Sequence, residues 1–102
     1  MTQLFETGAR ILSQGAIALF GSREAAFAVH VQLCQRHAGG DFGVATADES
    51  AANHLAIESE GEVLSRYELV LGDGSSHQVC MTTSAGHAST RLHLPSEELM
   101  SD

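Results

Sequence analysis

At 102 residues the chain has the length of one domain, and with 43% apolar residues it is too hydrophobic to remain disordered. Its formal net charge is −8, it has no lysine, and its only basic side chains besides histidine are the scattered Arg10, Arg23, Arg36, Arg66 and Arg91. That balance excludes binding of duplex nucleic acid or an anionic membrane by the usual route of clustered Lys and Arg.

No apolar run approaches the ~18 residues of a membrane span, and the first residues lack the basic start and apolar stretch of a secretion signal. The expected location is the cytoplasm. Cys34 and Cys80 are then expected as buried free thiols. A disulfide between them stays open, without a spacing signal for it.

Residues 1–14 read as an arm or a short helix: Leu4, Phe5, Ile11 and Leu12 fall near helical spacing, but Gly8 interrupts them. Residues 15–20, GAIALF, are a short apolar run between glycines. Length favours a buried edge strand over a helix, although periodicity alone does not decide. Ser22 suits a helix N-cap, and Glu24 then lies in the first turn, where the macrodipole favours an acid. The first helix is placed at Arg23–Ala38, with Phe27, Val31 and Cys34 facing inward and Val29 and Leu33 widening that face. Gly39 is the expected left-handed terminator.

A glycine-rich loop follows, with Phe42 as its one large apolar side chain and the one expected to tuck into the core. Thr46 and Glu49 form an S/T-x-x-E capping box. The second helix runs over about 47–58, with Ala51, Ala52, Leu55 and Ala56 as its apolar stripe, and Gly61 stops it. The rest reads as three strands, at 62–71, 77–83 and 88–94. Gly72-Asp73-Gly74 supplies the first hairpin turn, residues 84–87 the second, and Pro95 the end. These turns set a register. Tyr67, Leu69, Val79, Met81, Thr90 and Leu92 share the face that meets the helices. Arg66, Glu68, Gln78, Cys80, Thr82, Ser89, Arg91 and His93 share the other. Residues 96–102 form a polar tail.

Three groups of residues carry possible chemistry. His30, Cys34 and His37 recur at i, i+4 and i+7 on the first helix, a stack of imidazole and thiolate groups suited to zinc. Against that, a closed zinc cage needs ligands from a second element, and no matching Cys/His pair is spaced for one. His37 and Asp41 pair an imidazole with a carboxylate, as a general base would need. The structural reading has Asp41 bonding backbone N–H groups in the glycine turn and His37 closing the helix end. Six acids (Asp41, Asp48, Glu49, Glu58, Glu60 and Glu62) occur between Arg36 and Arg66 with no Lys or Arg among them. They make either a solvated face or, if Asp48 and Glu49 stand exposed in a row, a mimic of spaced phosphates. Gly39, Gly40 and Gly43 do not make a phosphate loop, because no lysine follows and Asp41 repels phosphate. His77, His87 and His93 lack ligand spacing and are expected at the surface. No G-x-S-x-G nucleophile elbow occurs.

The stretch Gln35-Arg36-His37-Ala38-Gly39-Gly40-Asp41-Phe42-Gly43 resembles the RH-x-x-GDWG segment of a family of small uncharacterised bacterial proteins. These are described only as plasmid-related and are found on plasmids and other mobile elements. The likeness continues through Asp48, Ala52, Asn53 and Gly61, then Val63-Leu64-Ser65-Arg66-Tyr67, Asp73-Gly74, Met81-Thr82 and Leu92-His93-Leu94-Pro95-Ser96-Glu97-Glu98. Phe42 replaces the usual Trp, the stretch around Val79-Cys80 lacks another Trp, and Thr83-Ser84-Ala85-Gly86 lacks the family's acidic segment. The resemblance implies a mobile-element setting and no particular reaction; carriage as an integron cassette fits equally.

The expectation is a single α+β domain: two helices on one face of a three- to four-stranded antiparallel sheet. No cofactor is expected. The function expected is that of a non-catalytic accessory protein acting through a protein partner or through a homodimer. The alternative is a small ligand- or metal-binding domain, or an enzyme, using His37 and Asp41.

Overall fold

The computed structural model describes residues 3–97. In chain order these form β1 (Ala9–Leu12), α1 (Gln14–Phe20), α2 (Arg23–Ala38), α3 (Ala47–Ser59), β2 (Val63–Val70), β3 (Ser76–Thr83) and β4 (Ser89–His93), then one 3-10 turn, Pro95–Glu97. The fold is α+β, but the sheet is mixed. Its order is β1-β4-β3-β2, with β2, β3 and β4 antiparallel and β1 parallel to β4.

The meander follows its alternation. Tyr67 pairs with Val79 and Met81 with Leu92, and all four are fully buried beneath α1 and α2 with Ala16, Leu33 and Cys34. The hairpin closes where the glycines allow it: Leu71 N–H donates to Ser75 C=O, and Gly74 takes φ 85°. Both helix caps anticipated from sequence are present. Ser22 Oγ accepts from Ala25 N–H, and Thr46 and Glu49 exchange both bonds of a capping box.

The N-terminal third departs from expectation. Residues 15–20 belong to helix α1 and not to an edge strand. Ser13 Oγ accepts from Ala16 N–H as its N-cap, and Gly21 ends it at φ 91°. The strand slot beside β4 is taken instead by β1, which lies within the stretch read as an arm or short helix. Glu97 fastens this corner: its carboxylate accepts from Ser13 Oγ (2.6 Å), Leu94 N–H (2.7 Å) and Gly15 N–H (3.2 Å). Burial pushes the Glu97 carboxyl up, but these hydrogen bonds outweigh it and hold it below its ordinary value. A Cβ at Gly15 would stand 2.8 Å from that carboxylate, so a side chain there would make the Glu97 carboxylate shift. The remainder of the expected polar tail, residues 98–102, lies outside the described residues, as do residues 1 and 2.

The inward face of α2 is turned one residue from the expected one. Ala26, His30, Leu33, Cys34, His37 and Ala38 are buried, whereas Phe27 is 47% exposed and lies beneath the Arg10 guanidinium. Two histidines belong to the buried face because the sheet offers them hydrogen-bond partners, and a purely apolar periodicity misses them. The helix ends at Gly39 with φ −86°; the left-handed residue is Gly40, at φ 92°.

The second expected helix, α3, does not lie on the same face as α2. It covers the outer edge of β2. The expected stripe is exposed at Ala51, Ala52 and Leu55, and the buried positions are Asn53 and Ala56. Asn53 acts as a stand-in strand: its Nδ2 donates to Leu64 C=O and its Oδ1 accepts from Leu64 N–H. Two residues along, Arg66 N–H donates to Phe42 C=O and Arg66 C=O accepts from Val44 N–H. An edge that would otherwise template another chain is thereby closed. Phe42 is buried with Phe5, Ala56 and Val63 in a second, smaller core.

Candidate functional site

The buried polar chemistry gathers around α2 in two neighbourhoods. His37, in the last turn of α2, points into the sheet and is fully buried. Its Nδ1 lies 2.5 Å from Ser65 Oγ on β2, and its Nε2 lies 2.8 Å from Thr83 Oγ1 on β3. Thr83 Oγ1 meets Thr90 Oγ1 at 2.6 Å, and Thr90 donates to the Thr7 carbonyl at 2.7 Å.

The direction of this chain follows from its end. A carbonyl only accepts, so Thr90 spends its proton on Thr7 and Thr83 must donate to Thr90. Thr83 then accepts from His37 Nε2–H, and Ser65 O–H donates to His37 Nδ1. The imidazole is therefore neutral, with both nitrogens occupied. Burial, with nearby His30 and His87, pushes its pKa down to about 4. The Phe5 ring stands edge-on to it at 5.1 Å and closes it from the N-terminal side.

Asp41 is elsewhere. Its Oδ2 accepts from Arg36 Nε at 2.8 Å and its Oδ1 from Gly43 N–H at 3.0 Å, and its side chain is about half exposed. The Arg36 hydrogen bond holds this carboxyl below its ordinary value. Arg36 itself sits over the Tyr67 ring at 4.6 Å, and Tyr67 Oη donates to the Asp41 carbonyl at 2.6 Å. His37 and Asp41 thus have separate partners and share no open space. Asp41 ties the glycine turn, while His37 serves the sheet and leaves the closing of the helix end to Gly39 N–H, which bonds Gln35 and Arg36 carbonyls.

The second neighbourhood holds His30 and Cys34, one helical turn apart. His30 Nε2 donates to Thr90 C=O at 2.8 Å, which leaves Nδ1 as the lone pair, 3.2 Å from Arg10 Nη1. Burial raises the Cys34 thiol pKa, but hydrogen bonding to His30 and Thr7, with the nearby Arg10 charge, brings it below the ordinary value. Cys34, Arg10, Thr7, Gln3 and Gln35 line an open groove of about 290 Å³. Of the three residues proposed for a metal, His30 and Cys34 stand one turn apart on the buried face of α2, while His37 is engaged by Ser65 and Thr83. Among the described residues no group of three His, Cys, Asp or Glu side chains is arranged to hold a metal ion. Cys80 lies on the opposite face of the sheet, and both cysteines are free.

Two histidines expected at the surface are buried. His87 Nε2 donates to Gly61 C=O at 2.9 Å; His93 Nδ1 donates to Leu94 C=O, and its Nε2 accepts from Thr82 Oγ1. Sequence reasoning missed Arg10 and Thr7 altogether. Alternation with Leu12 on β1 is the only signal for Arg10, visible once that segment is known to be a strand; Thr7 precedes β1 and has none.

The acidic run is divided. Asp48 is exposed, whereas Glu49 closes the capping box and takes Arg66 Nε and Nη2 in a forked ion pair at 2.8 Å. Arg66 first, then Thr46 N–H, holds the Glu49 carboxyl down at about 2. A carboxylate so engaged is a poor phosphate mimic. Its contribution is full above the ordinary glutamate pKa of about 4.5 and disappears as pH falls towards about 2. Glu49→Gln should therefore lower unfolding free energy by about 1 kcal/mol at pH 7 and by nearly nothing at pH 2, read from urea denaturation at both pH values.

No family model, no curated protein and no solved structure matches this chain. Among the described residues no helix is long and apolar enough to cross a membrane.

Proposed function

We propose that the protein is a non-catalytic accessory of a mobile genetic element, acting in the cytoplasm through protein contact, in the first place with a second copy of itself. The observation that carries this reading is the asymmetry of the sheet. The β2 edge is sealed by Asn53 and residues 42–44, while β1 is paired on one side only. Ala9 and Ser13 N–H groups are used on β4, so those of Arg10 and Leu12 face outward. Beside that edge Ile11 and Phe27 are 42% and 47% exposed. Two β1 strands meeting antiparallel across a two-fold axis would continue the sheet through both copies.

Every buried side-chain nitrogen and oxygen among the described residues has a partner inside the chain. That suits a scaffold better than a site waiting for substrate. A ligand site or enzyme built on His37 and Asp41 draws no support from two side chains that point apart. The mobile-element setting rests on the resemblance from Gln35 to Gly43 and its continuation to Glu98.

Sedimentation at micromolar concentration should give a dimer. Ile11→Glu should convert it to a monomer with melting changed by only a few degrees, because that side chain packs outside the core. A wild-type chain that stays monomeric across this range would overturn the proposal.

A further inference from the structure

β1 is a short edge with fixed limits. It pairs with β4 from Ala9 to Leu12, and Ala9 and Ser13 donate their N–H groups to the Ala88 and Leu92 carbonyls. Alternation then turns both backbone groups of Arg10 and Leu12 outward and those of Ile11 towards β4. The open stretch cannot be lengthened at either end. Gly8 takes φ 64°, a left-handed conformation that leaves the strand, and its Cα lies hard against the Ala88 carbonyl. Ser13 is the N-cap of α1, so the chain turns into that helix directly after Leu12. Arg10 is the one charged residue of the strand. Its guanidinium is drawn back onto His30 Nδ1 and over the Phe27 ring, on the helix side of the sheet, and does not reach across the edge.

An antiparallel β1 strand from a second copy can use these outward groups with the two-fold axis at Arg10, at Ile11 or at Leu12. With the axis at Arg10, that residue meets its own copy, like charge against like, and Leu12 falls opposite Gly8, which is not extended. With the axis at Leu12, Arg10 falls opposite Gln14, already in α1, and Leu12 pairs alone. With the axis at Ile11, Arg10 pairs with Leu12 of the second copy and Leu12 with its Arg10. Every outward N–H and C=O of Arg10 and Leu12 is then used, and no like charges stand opposite. We infer, resting on the self-association proposed above, that the second copy docks in this last register, with Ile11 on the axis against its own counterpart. The two isoleucines form a non-hydrogen-bonded pair, the closer kind, with Cα atoms about 4.5 Å apart. Each covers the other on the sheet face away from α2, where a single chain leaves Ile11 42% exposed. Because Asn53 and residues 42–44 seal β2, each chain offers β1 as its open edge, and the pairing closes at two copies instead of running on into a fibre.

Three cysteine replacements in the full chain read the register: Ile11→Cys, Arg10→Cys and Leu12→Cys. Cys34 and Cys80 are kept, because both are buried, and the wild-type chain serves as their control. Under mild oxidation Ile11→Cys should shift on a non-reducing gel from the monomer band to a covalent dimer, since opposed cysteines at that spacing meet the geometry of a disulfide. Arg10→Cys and Leu12→Cys should each stay at the monomer band, while a mixture of the two should give the dimer. Peptide mapping identifies the bond, and melting curves of the reduced variants confirm that each folds. A chain that sediments as a dimer but cross-links through Arg10→Cys alone, through Leu12→Cys alone or through none of the three overturns the register and leaves self-association standing. A wild-type chain that sediments as a monomer overturns both.

Discussion

Replacing His37 with alanine should lower the unfolding free energy by about 3–5 kcal/mol, the largest loss expected from any single side chain here. Two hydroxyls are stranded at once: Ser65 loses the acceptor of its proton and Thr83 loses its donor, both in fully buried positions. An unsatisfied buried polar group costs about 1–3 kcal/mol, and the vacated volume under Phe5 adds a cavity penalty. Domains of this size have only about 5–15 kcal/mol in total. Thermal unfolding should therefore fall by about 15 °C or more. A loss under about 1 kcal/mol would show that the directed chain from Ser65 to Thr7 is not what holds the sheet to α2.

The same residue gives a pH signature. Its imidazole has a pKa of about 4 in the folded chain against 6.5 normally. The unfolded chain therefore binds the proton first as pH falls. Stability is unaffected above pH 6.5 and declines as pH drops from there towards about 4, by up to about 3 kcal/mol at 1.36 kcal/mol per pKa unit. Glu49 contributes below this window, between about 4.5 and 2. In His37→Leu the upper part of the acid slope should flatten and the lower part should remain, which denaturation at pH 7, 5 and 3 would show.

Asn53→Ala is the second large effect, expected at about 2–4 kcal/mol. No other side chain among the described residues bonds both backbone groups of one strand residue, Leu64, and Asn53 is 2% exposed. Alanine leaves an N–H and a C=O unpaired where α3 shields them from water. Asn53→Asp should be at least as damaging, because a carboxylate oxygen would then face the Leu64 carbonyl. The loss of protection should be local, so amide exchange at Leu64 is the sharpest readout. Exchange at Leu64 as slow as in the wild type would mean that α3 is held against β2 by Ala56 and Ile57 alone.

The candidate site was half legible. The spacing of His30, Cys34 and His37 marks one helical stripe, and all three are buried on it. What that stripe meets was not legible, because the partners come from all four strands. His37 therefore reads equally well as a helix-end residue, a metal ligand or a base until Ser65 and Thr83 are known to lie against it. Arg10 was counted only as a scattered charge. Its place beside His30 depends on β1 lying parallel to β4, a pairing between opposite ends of the described chain.

The sequence by itself determined the features whose causes lie within a few residues. Ser22 and the Thr46/Glu49 box start two helices, the Gly72–Gly74 turn closes a hairpin, and strict alternation puts Tyr67, Val79, Met81 and Leu92 on one face. Tertiary structure decided the rest. Residues 15–20 are equally apolar as helix or strand, and the sheet position that a strand there would fill is held by β1. The buried face of α2 contains imidazoles, and a polar ring enters a core only where fixed donors and acceptors meet it. Asn53 replaces the alanine stripe of α3 because the edge of β2 needs hydrogen bonds there more than it needs apolar area.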